Sequence, residues 1–333
     1  MGEEERRGLY AQSTAVEPAS NIEILGCRVS KVTLIEALDL IEEWIQRPAQ
    51  RPRYVVATGF HGLWEAQKDP EFQKVLNSAD LFCSDGIAPV WLSRLNGDAL
   101  PERVPGPDLL AAFLAKADKS GHRSFFFGDT DETLAALKEK VQKTYPGHLV
   151  AGVLSPPFRA MSAEEDAAII EEINRARPDV LWVGLGMPKQ DWWIYNHRDR
   201  LRVSVVAGVG AAFRFLSGSV KRAPEWVGNN GFEWLWRLAA EPRKLWRRDL
   251  IDGPRFLVYA FVQCMRARRV AGPARHLPML PMQIHTSRVS IQPQTAPNAS
   301  SSTGTDICHP PEATSPVSCT TSTAGSGPER LHC

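Results

Sequence analysis

Along residues 20–270, short apolar runs alternate with longer stretches of helical period. Segments 22–25 and 27–29 read as paired strands around Gly26. Thr33-x-x-Glu36 is a capping box opening an amphipathic helix, with Leu34, Ala37, Leu38, Leu40, Ile41 and Trp44 on one stripe. Further strands are predicted at 54–58, 81–83, 124–127, 149–153, 179–183 and 203–206. Helices are predicted between them: over 62–67, from the Asp69-Pro70 cap through 77, over 87–95, 107–119, 131–145 and 162–177 (Ser162-x-x-Glu165 is a second capping box), and from Lys189 onward. This alternation predicts an α/β fold whose mainly parallel sheet carries helices on both faces. Ligands of such folds bind beyond the carboxyl ends of the strands. Thr58, Asp85, Gly128, Gly184 and Gly208 fall at that rim.

The periodicity stops near residue 272. Residues 273–333 are rich in Ser, Thr and Pro and cannot bury enough apolar surface to offset their ordering entropy. We expect disorder there and over 1–18, a catalytic domain over 19–230 and a helical appendage over 231–272. The 333 residues are 43% hydrophobic and 23% charged, with a net charge of +1, which argues against a general polyanion binder. The six cysteines, at 27, 83, 264, 308, 319 and 333, form no Cys-x-x-Cys pair and no zinc spacing. The charged N-terminus has no apolar segment behind it, and no apolar run approaches the ~18 residues of a membrane span. The expectation is a reduced, cytoplasmic protein.

The candidate chemistry sits at strand ends. Gly128-Asp129-Thr130, Gly184-Leu-Gly186 and Gly208-Val-Gly210 are strand-to-helix turns that either let a backbone approach a nucleotide-type ligand or are plain tight turns. None completes a dinucleotide fingerprint or a Walker loop. Asp85, in Ser84-Asp85-Gly86, is a helix cap or an acid–base group. Lys189 and Gln190 follow Met187-Pro188, and Gln190 either donates to a ligand or solvates the helix start. Arg103, before Gly106-Pro-Asp108, is a phosphate clamp or a surface arginine, and His61 a base or a structural histidine.

Residues 221–269 carry Trp226, Trp234, Trp236 and Trp246, with eleven Lys and Arg against five acids. Tryptophan rings settle at headgroup level and cations meet anionic lipid, so this stretch reads as an appendage for a membrane surface. The alternative is a helical pair packed on the core with solvated arginines. No nucleic-acid motif is present.

Six segments then occur in a specific order: Val56-Ala-Thr58; Asn77-Ser-Ala-Asp80 through Ser84-Asp85-Gly86; Arg103-Val-Pro-Gly-Pro-Asp108-Leu109; Gly184-Leu-Gly-Met-Pro-Lys189-Gln190-Asp191-Trp192; Gly208-Val-Gly-Ala-Ala-Phe213; and Lys221-Arg-Ala-Pro-Glu-Trp226, continuing through Arg237 to Glu241-Pro242-Arg243. Together they resemble the WecG/TagA/CpsF family, glycosyltransferase family 26, over about residues 20–260. The resemblance implies a Rossmann-like sheet and an inverting, metal-independent transferase without a cofactor. Such an enzyme moves a sugar, often N-acetylmannosamine or its uronate, from a UDP-sugar to a polyprenyl-diphosphate-linked acceptor at the cytoplasmic membrane face, for cell-surface polysaccharides. It implies Asp85 as base, with Thr58 and Gln190 orienting sugar or acceptor. Arg103, Gly128, Gly184, Gly186, Lys189, Gly208, Gly210 and Arg214 fall on the substrate side. Arg237, Arg243, Arg247, Arg248, Trp234 and Trp236 fall to the membrane or the lipid diphosphate. Oligomeric state is left open, a homo-oligomer included.

Two positions depart from the family pattern. Phe60 stands where Asn is common, which puts sugar contacts in doubt. Arg214 stands where Asp is common, and the reversal alters donor choice, adds a phosphate contact or marks lost activity. No Asp-x-Asp pair stands in a convincing place for a metal, so the leaving diphosphate is expected to meet arginines and helix N-termini. A non-catalytic partner in polysaccharide assembly is the main rival; a nicotinamide-dependent oxidoreductase is the weaker one.

Overall fold

The computed structural model describes residues 19–271 apart from 96, 222 and 225–232. The two expected disordered tails and Trp226 lie outside the described residues. Elements follow in chain order. The hairpin is β1 (Asn21–Ile24) and β2 (Cys27–Ser30), then α1 (Leu34–Gln46), β3 (Arg53–Thr58), α2 (Phe60–Lys68), α3 (Pro70–Asn77), β4 (Leu81–Ser84), α4 (Ile87–Leu95) and α5 (Gly106–Ser120). Next come β5 (Arg123–Gly128), α6 (Asp131–Thr144), β6 (Leu149–Leu154), α7 (Ala163–Ala176), β7 (Val180–Gly184), α8 (Lys189–His197), β8 (Val205–Gly208) and α9 (Ala212–Ser217). The C-terminal part holds α10 (Glu233–Ala240), α11 (Pro242–Trp246), a π-helical stretch over Arg247–Asp252, and α12 (Gly253–Ala271).

Six strands form one all-parallel sheet in the order β4-β3-β8-β7-β5-β6. Parallel strands covered on both faces read as unbroken apolar runs, and β7, Val-Leu-Trp-Val-Gly, is buried throughout. Its side chains divide by pleat. Leu181 and Val183 join one core with α2, α3, α7 and α8, while Val180 and Trp182 join the other with α1, α5, α6 and α9. Fully burying each such side chain contributes roughly 1.5–3 kcal/mol. Trp182 keeps its indole N–H satisfied by donating to Ser124 Oγ at 3.0 Å.

The hairpin protects one end of the sheet. Ile22 and Val29 pack with Phe82, and the Phe82 N–H donates to Ser30 Oγ at 3.1 Å, so the β4 edge presents one less open donor. Both predicted capping boxes, Thr33/Glu36 and Ser162/Glu165, are formed.

Three boundaries differ from expectation. Helix α2 begins at Phe60 and so includes His61. Strand β8 begins at Val205, whose N–H donates to Asp179 O as the first rung beside Val180, while the Ser204 N–H donates to the same carbonyl. The appendage is three helices and a π-helical stretch, not a helical pair. It is also seated on the body. Phe256 is 1% exposed, with its ring 5.8 Å from Phe60 and 6.5 Å from Trp64, and Ala260 is fully buried behind it.

Candidate active site

Connections leave neighbouring strands toward opposite faces: α2 and α8 join one core, α9 the other. Strand β8 lies between β3 and β7, and the place where connections part is where open parallel sheets receive ligands, beyond the carboxyl ends of the strands. Asp85 is the first residue after β4. Its N–H donates to Thr58 O at 2.9 Å, which fixes it beside the end of β3, and it is half-buried. Gly59 is required there, since a side chain would fall 1.9 Å from the Asp85 carbonyl. Val104 N–H donates to Ser84 O at 2.7 Å, bringing the segment of half-buried Arg103 alongside Asp85. The rim therefore gathers a carboxylate, a hydroxyl and a guanidinium segment from β4, β3 and the approach to α5.

Thr58 is 4% exposed, and its Oγ1 donates to Met187 Sδ at 3.4 Å, linking β3 to the loop before α8. Gln190 is 2% exposed and accepts the Gly210 N–H through Oε1 at 3.0 Å. It therefore does not solvate the helix start, as one alternative had it; it braces the turn after β8. Lys189 beside it is exposed.

The glycines divide. A side chain at Gly128 would fall 2.6 Å from the Gly184 backbone, one at Gly184 2.6 Å from the Phe213 ring, and one at Gly208 2.9 Å from Gln190 Nε2. Those three glycines make room for protein atoms, as the tight-turn alternative has it. Gly128, Gly186 and Gly210 have positive φ, 120°, 79° and 55°, and Gly186 faces open space.

The two departures acquire structural reasons. Arg214 grips Asp129 with Nε to Oδ2 at 2.8 Å and a terminal nitrogen to Oδ1 at 3.2 Å, and reaches Glu241 at 3.7 Å. Its charge is thus matched by a nearly buried carboxylate across the rim. The same pair occupies the first acid of Asp129-Thr130-Asp131. Phe60 is a seat for the appendage: besides Phe256 it has the Arg248 guanidinium 6.0 Å over its ring.

Among the appendage arginines, Arg248 is bound by Asp249 at 2.6 and 3.0 Å, and Arg237 lies 5.4 Å over Phe215. Arg243 and Arg247 are exposed. Trp234, Trp236 and Trp246 are 40%, 39% and 49% exposed. Leu250, Leu257, Val258 and Phe261 also face outward. No helix among the described residues is long and apolar enough to cross a membrane.

His61, on the first turn of α2, has its pKa lowered by burial and by the nearby Arg248 charge, which favours the neutral imidazole. Burial pushes Cys27 and Cys83 up to about 12, so both are inert thiols. Two buried residues, Tyr54 near the amino end of β3 and Asp191 in α8, were not singled out by sequence. Asp191 is fully buried and accepts from Tyr54 Oη at 2.8 Å; burial raises its pKa to about 7. Its place in the Lys-Gln-Asp segment was the available signal, but a helix-start acid ordinarily faces solvent.

An all-parallel sheet covered by helices on both faces is an α/β fold of the kind that carries enzyme sites at the carboxyl rim of its strands. The chain belongs to the WecG/TagA/CpsF family of glycosyl transferases, whose model matches residues 22–270. It is a glycosyltransferase. It is 35% identical over 187 residues to the N-acetylglucosaminyldiphosphoundecaprenol N-acetyl-beta-D-mannosaminyltransferase of Bacillus spizizenii, covering 56% of this chain and 70% of that protein. It is 33% identical over 185 residues to the Bacillus subtilis protein of the same name, with the same coverage. Against the Staphylococcus aureus protein of that name, identity is 26% over 235 residues, 70% of this chain and 91% of the relative.

Proposed function

We propose that this chain is an inverting, metal-independent transferase. It moves a sugar of the N-acetylmannosamine type, or a related hexose, from a UDP-sugar to a polyprenyl-diphosphate-linked acceptor in cell-surface polysaccharide synthesis. The observation that carries this is the position of Asp85, tied by its backbone to the end of β3 and half-buried at the rim beside Thr58 and the Arg103 segment. The relatives' substrate, as their name gives it, supplies the acceptor class.

In this mechanism an acceptor hydroxyl attacks the anomeric carbon from the side opposite the nucleotide. Its proton passes to the Asp85 carboxylate as the new C–O bond forms. The bond to the diphosphate breaks, and UDP leaves with the electron pair. Arg103 and the N-terminal N–H groups of α5 and α8 meet the growing negative charge. The Asp129 carboxylate, already bound to Arg214, is unavailable to a metal, which favours the metal-free route.

The appendage rests on the inner face of the plasma membrane in this reading. Its exposed tryptophans enter the headgroup layer, and Arg243 and Arg247 meet anionic lipid, each such cation contributing about 1 kcal/mol. Sedimentation with anionic and with neutral vesicles tests this: binding to the anionic vesicles only is expected, and equal absence from both pellets refutes it. For the chemistry, Asp85→Asn is expected to keep UDP binding and lose turnover by orders of magnitude. Wild-type turnover in that variant removes Asp85 as the base.

A further inference from the structure

The turn Asp85-Gly86 runs directly into α4. That helix buries Val90 and Leu92 and turns Trp91, Arg94 and Leu95 outward, at the i, i+3, i+4 spacing of one helical face. Trp91 is 46% exposed and Leu95 40%. Helix α12 packs beside α4. Both rest on the same core, α4 through Val90 and Leu92, α12 through Phe256 and Ala260, so their outward faces adjoin. The outward face of α12 carries Leu257, Val258, Phe261, Val262 and Met265, each at least 39% exposed.

Continuous apolar surface on the outside of a folded chain marks a docking face. Its charge points to the occupant. The sequence of α4 holds Arg94, that of α12 holds Arg255, Arg266, Arg268 and Arg269, and neither helix contains an acidic residue. An anionic bilayer offers an apolar layer beneath negative headgroups. Aromatic and aliphatic side chains on helices whose charged residues are all cationic match that surface.

We infer that α4 belongs to the lipid-binding face: Trp91 and Leu95 enter the headgroup layer of an anionic bilayer beside the α12 stripe, and Arg94 meets the lipid phosphates. This rests on the membrane reading above and extends it from the appendage to the catalytic body. Its consequence is positional. Helix α4 starts two residues after Asp85, and Trp91 stands four residues into it, about 6 Å of helix rise. The acceptor's diphosphate is held at the headgroups by its polyprenyl chain. Trp91 is therefore a positioning residue, which fixes the height of Asp85 above the lipid-borne acceptor.

The test uses the full chain and vesicles of equal parts phosphatidylglycerol and phosphatidylcholine. Sedimentation, thermal unfolding and transfer are measured together, with N-acetylglucosaminyl-diphosphoundecaprenol in the vesicles and with a short-chain, water-soluble analogue of it. Trp91→Glu is expected to lower vesicle binding about tenfold and to raise the KM for the vesicle-borne acceptor by as much. Turnover on the soluble analogue and the unfolding temperature are expected to stay near wild type, and Trp91→Phe is expected to restore vesicle binding. Arg94→Glu, on the same face, is expected to weaken binding about thirtyfold at low salt and much less at high salt, and it keeps the inference testable if Trp91→Glu fails to fold. Wild-type vesicle binding in Trp91→Glu and Arg94→Glu, or an equal loss of transfer to both acceptors, overturns the inference. Loss of vesicle binding in Phe261→Glu alongside those results leaves the membrane reading of the appendage standing without it. Absence of the wild-type chain from the vesicle pellet refutes that reading and this inference together. Self-association that Trp91→Glu abolishes, with vesicle binding unchanged, makes a second copy the occupant and overturns the lipid assignment.

Discussion

Phe256→Ala isolates the attachment of the appendage. The Phe256 ring is 1% exposed between Phe60 and Trp64, at 5.8 and 6.5 Å. Beside it on α12, Ala260 is fully buried, and Tyr259 donates through Oη to Gln67 Oε1 at 3.0 Å. Leu257, Val258, Phe261 and Val262 face outward, so the phenylalanine is the large apolar side chain that this stretch of the helix buries. Removing a buried phenylalanine ring costs about 3–5 kcal/mol. At 1.4 kcal/mol per tenfold, the lower figure lowers the ratio of docked to undocked helix by roughly 150-fold. Phe256 and Ala260 belong to the same core as Leu181 and Val183, while the core on the other face of the sheet holds no appendage residue, so the loss falls first on α12. Hydrogen exchange of the backbone amides of 253–263 reads it directly, with β7 as an internal reference. The expected result is exchange about a hundredfold faster in α12 with β7 unchanged. Unchanged protection of α12, or an equal loss in α12 and β7, refutes the seating of the appendage on Phe60 and Trp64.

Arg214→Ala strands the nearly buried Asp129 carboxylate and is expected to cost roughly 2–4 kcal/mol in urea unfolding; a cost below about 0.5 kcal/mol contradicts the pairing. Gly184→Ala drives a methyl group to 2.6 Å from the Phe213 ring and is expected to cost about 1–3 kcal/mol, part of which Phe213→Leu recovers. Asp191 binds its proton more tightly when folded, its pKa rising from 3.8 to about 7. Its contribution to stability is therefore full below the unfolded value and lost as pH rises through the folded one, roughly 4 kcal/mol in all. Relative to Asp191→Asn, the wild-type chain is expected to lose stability between about pH 4 and pH 8 in urea titrations, and parallel pH profiles would contradict the assignment.

Much of the fold was legible because its signals are local. The strands of a buried parallel sheet are short apolar runs, and the two capping boxes mark helix starts within four residues. Asp85, Thr58 and Arg103 were legible as strand-end and helix-start residues. What was hidden is non-local. Arg214 meets Asp129 across 85 residues, and Tyr54 meets Asp191 across 137. No spacing rule in a single chain pairs them, so Arg214 read as an unmatched charge and Asp191 was not singled out. Phe60 read as a lost sugar contact because its partner, Phe256, lies far along the chain in the appendage.

The central claim is that Asp85 takes the acceptor's proton while UDP departs. The most direct measurement incubates the purified chain with UDP-N-acetylmannosamine and N-acetylglucosaminyl-diphosphoundecaprenol, and follows UDP release and the lengthened lipid product in wild type and Asp85→Asn. The account predicts both products from wild type, and neither from a variant that still binds UDP. Equal product from the two proteins would contradict it.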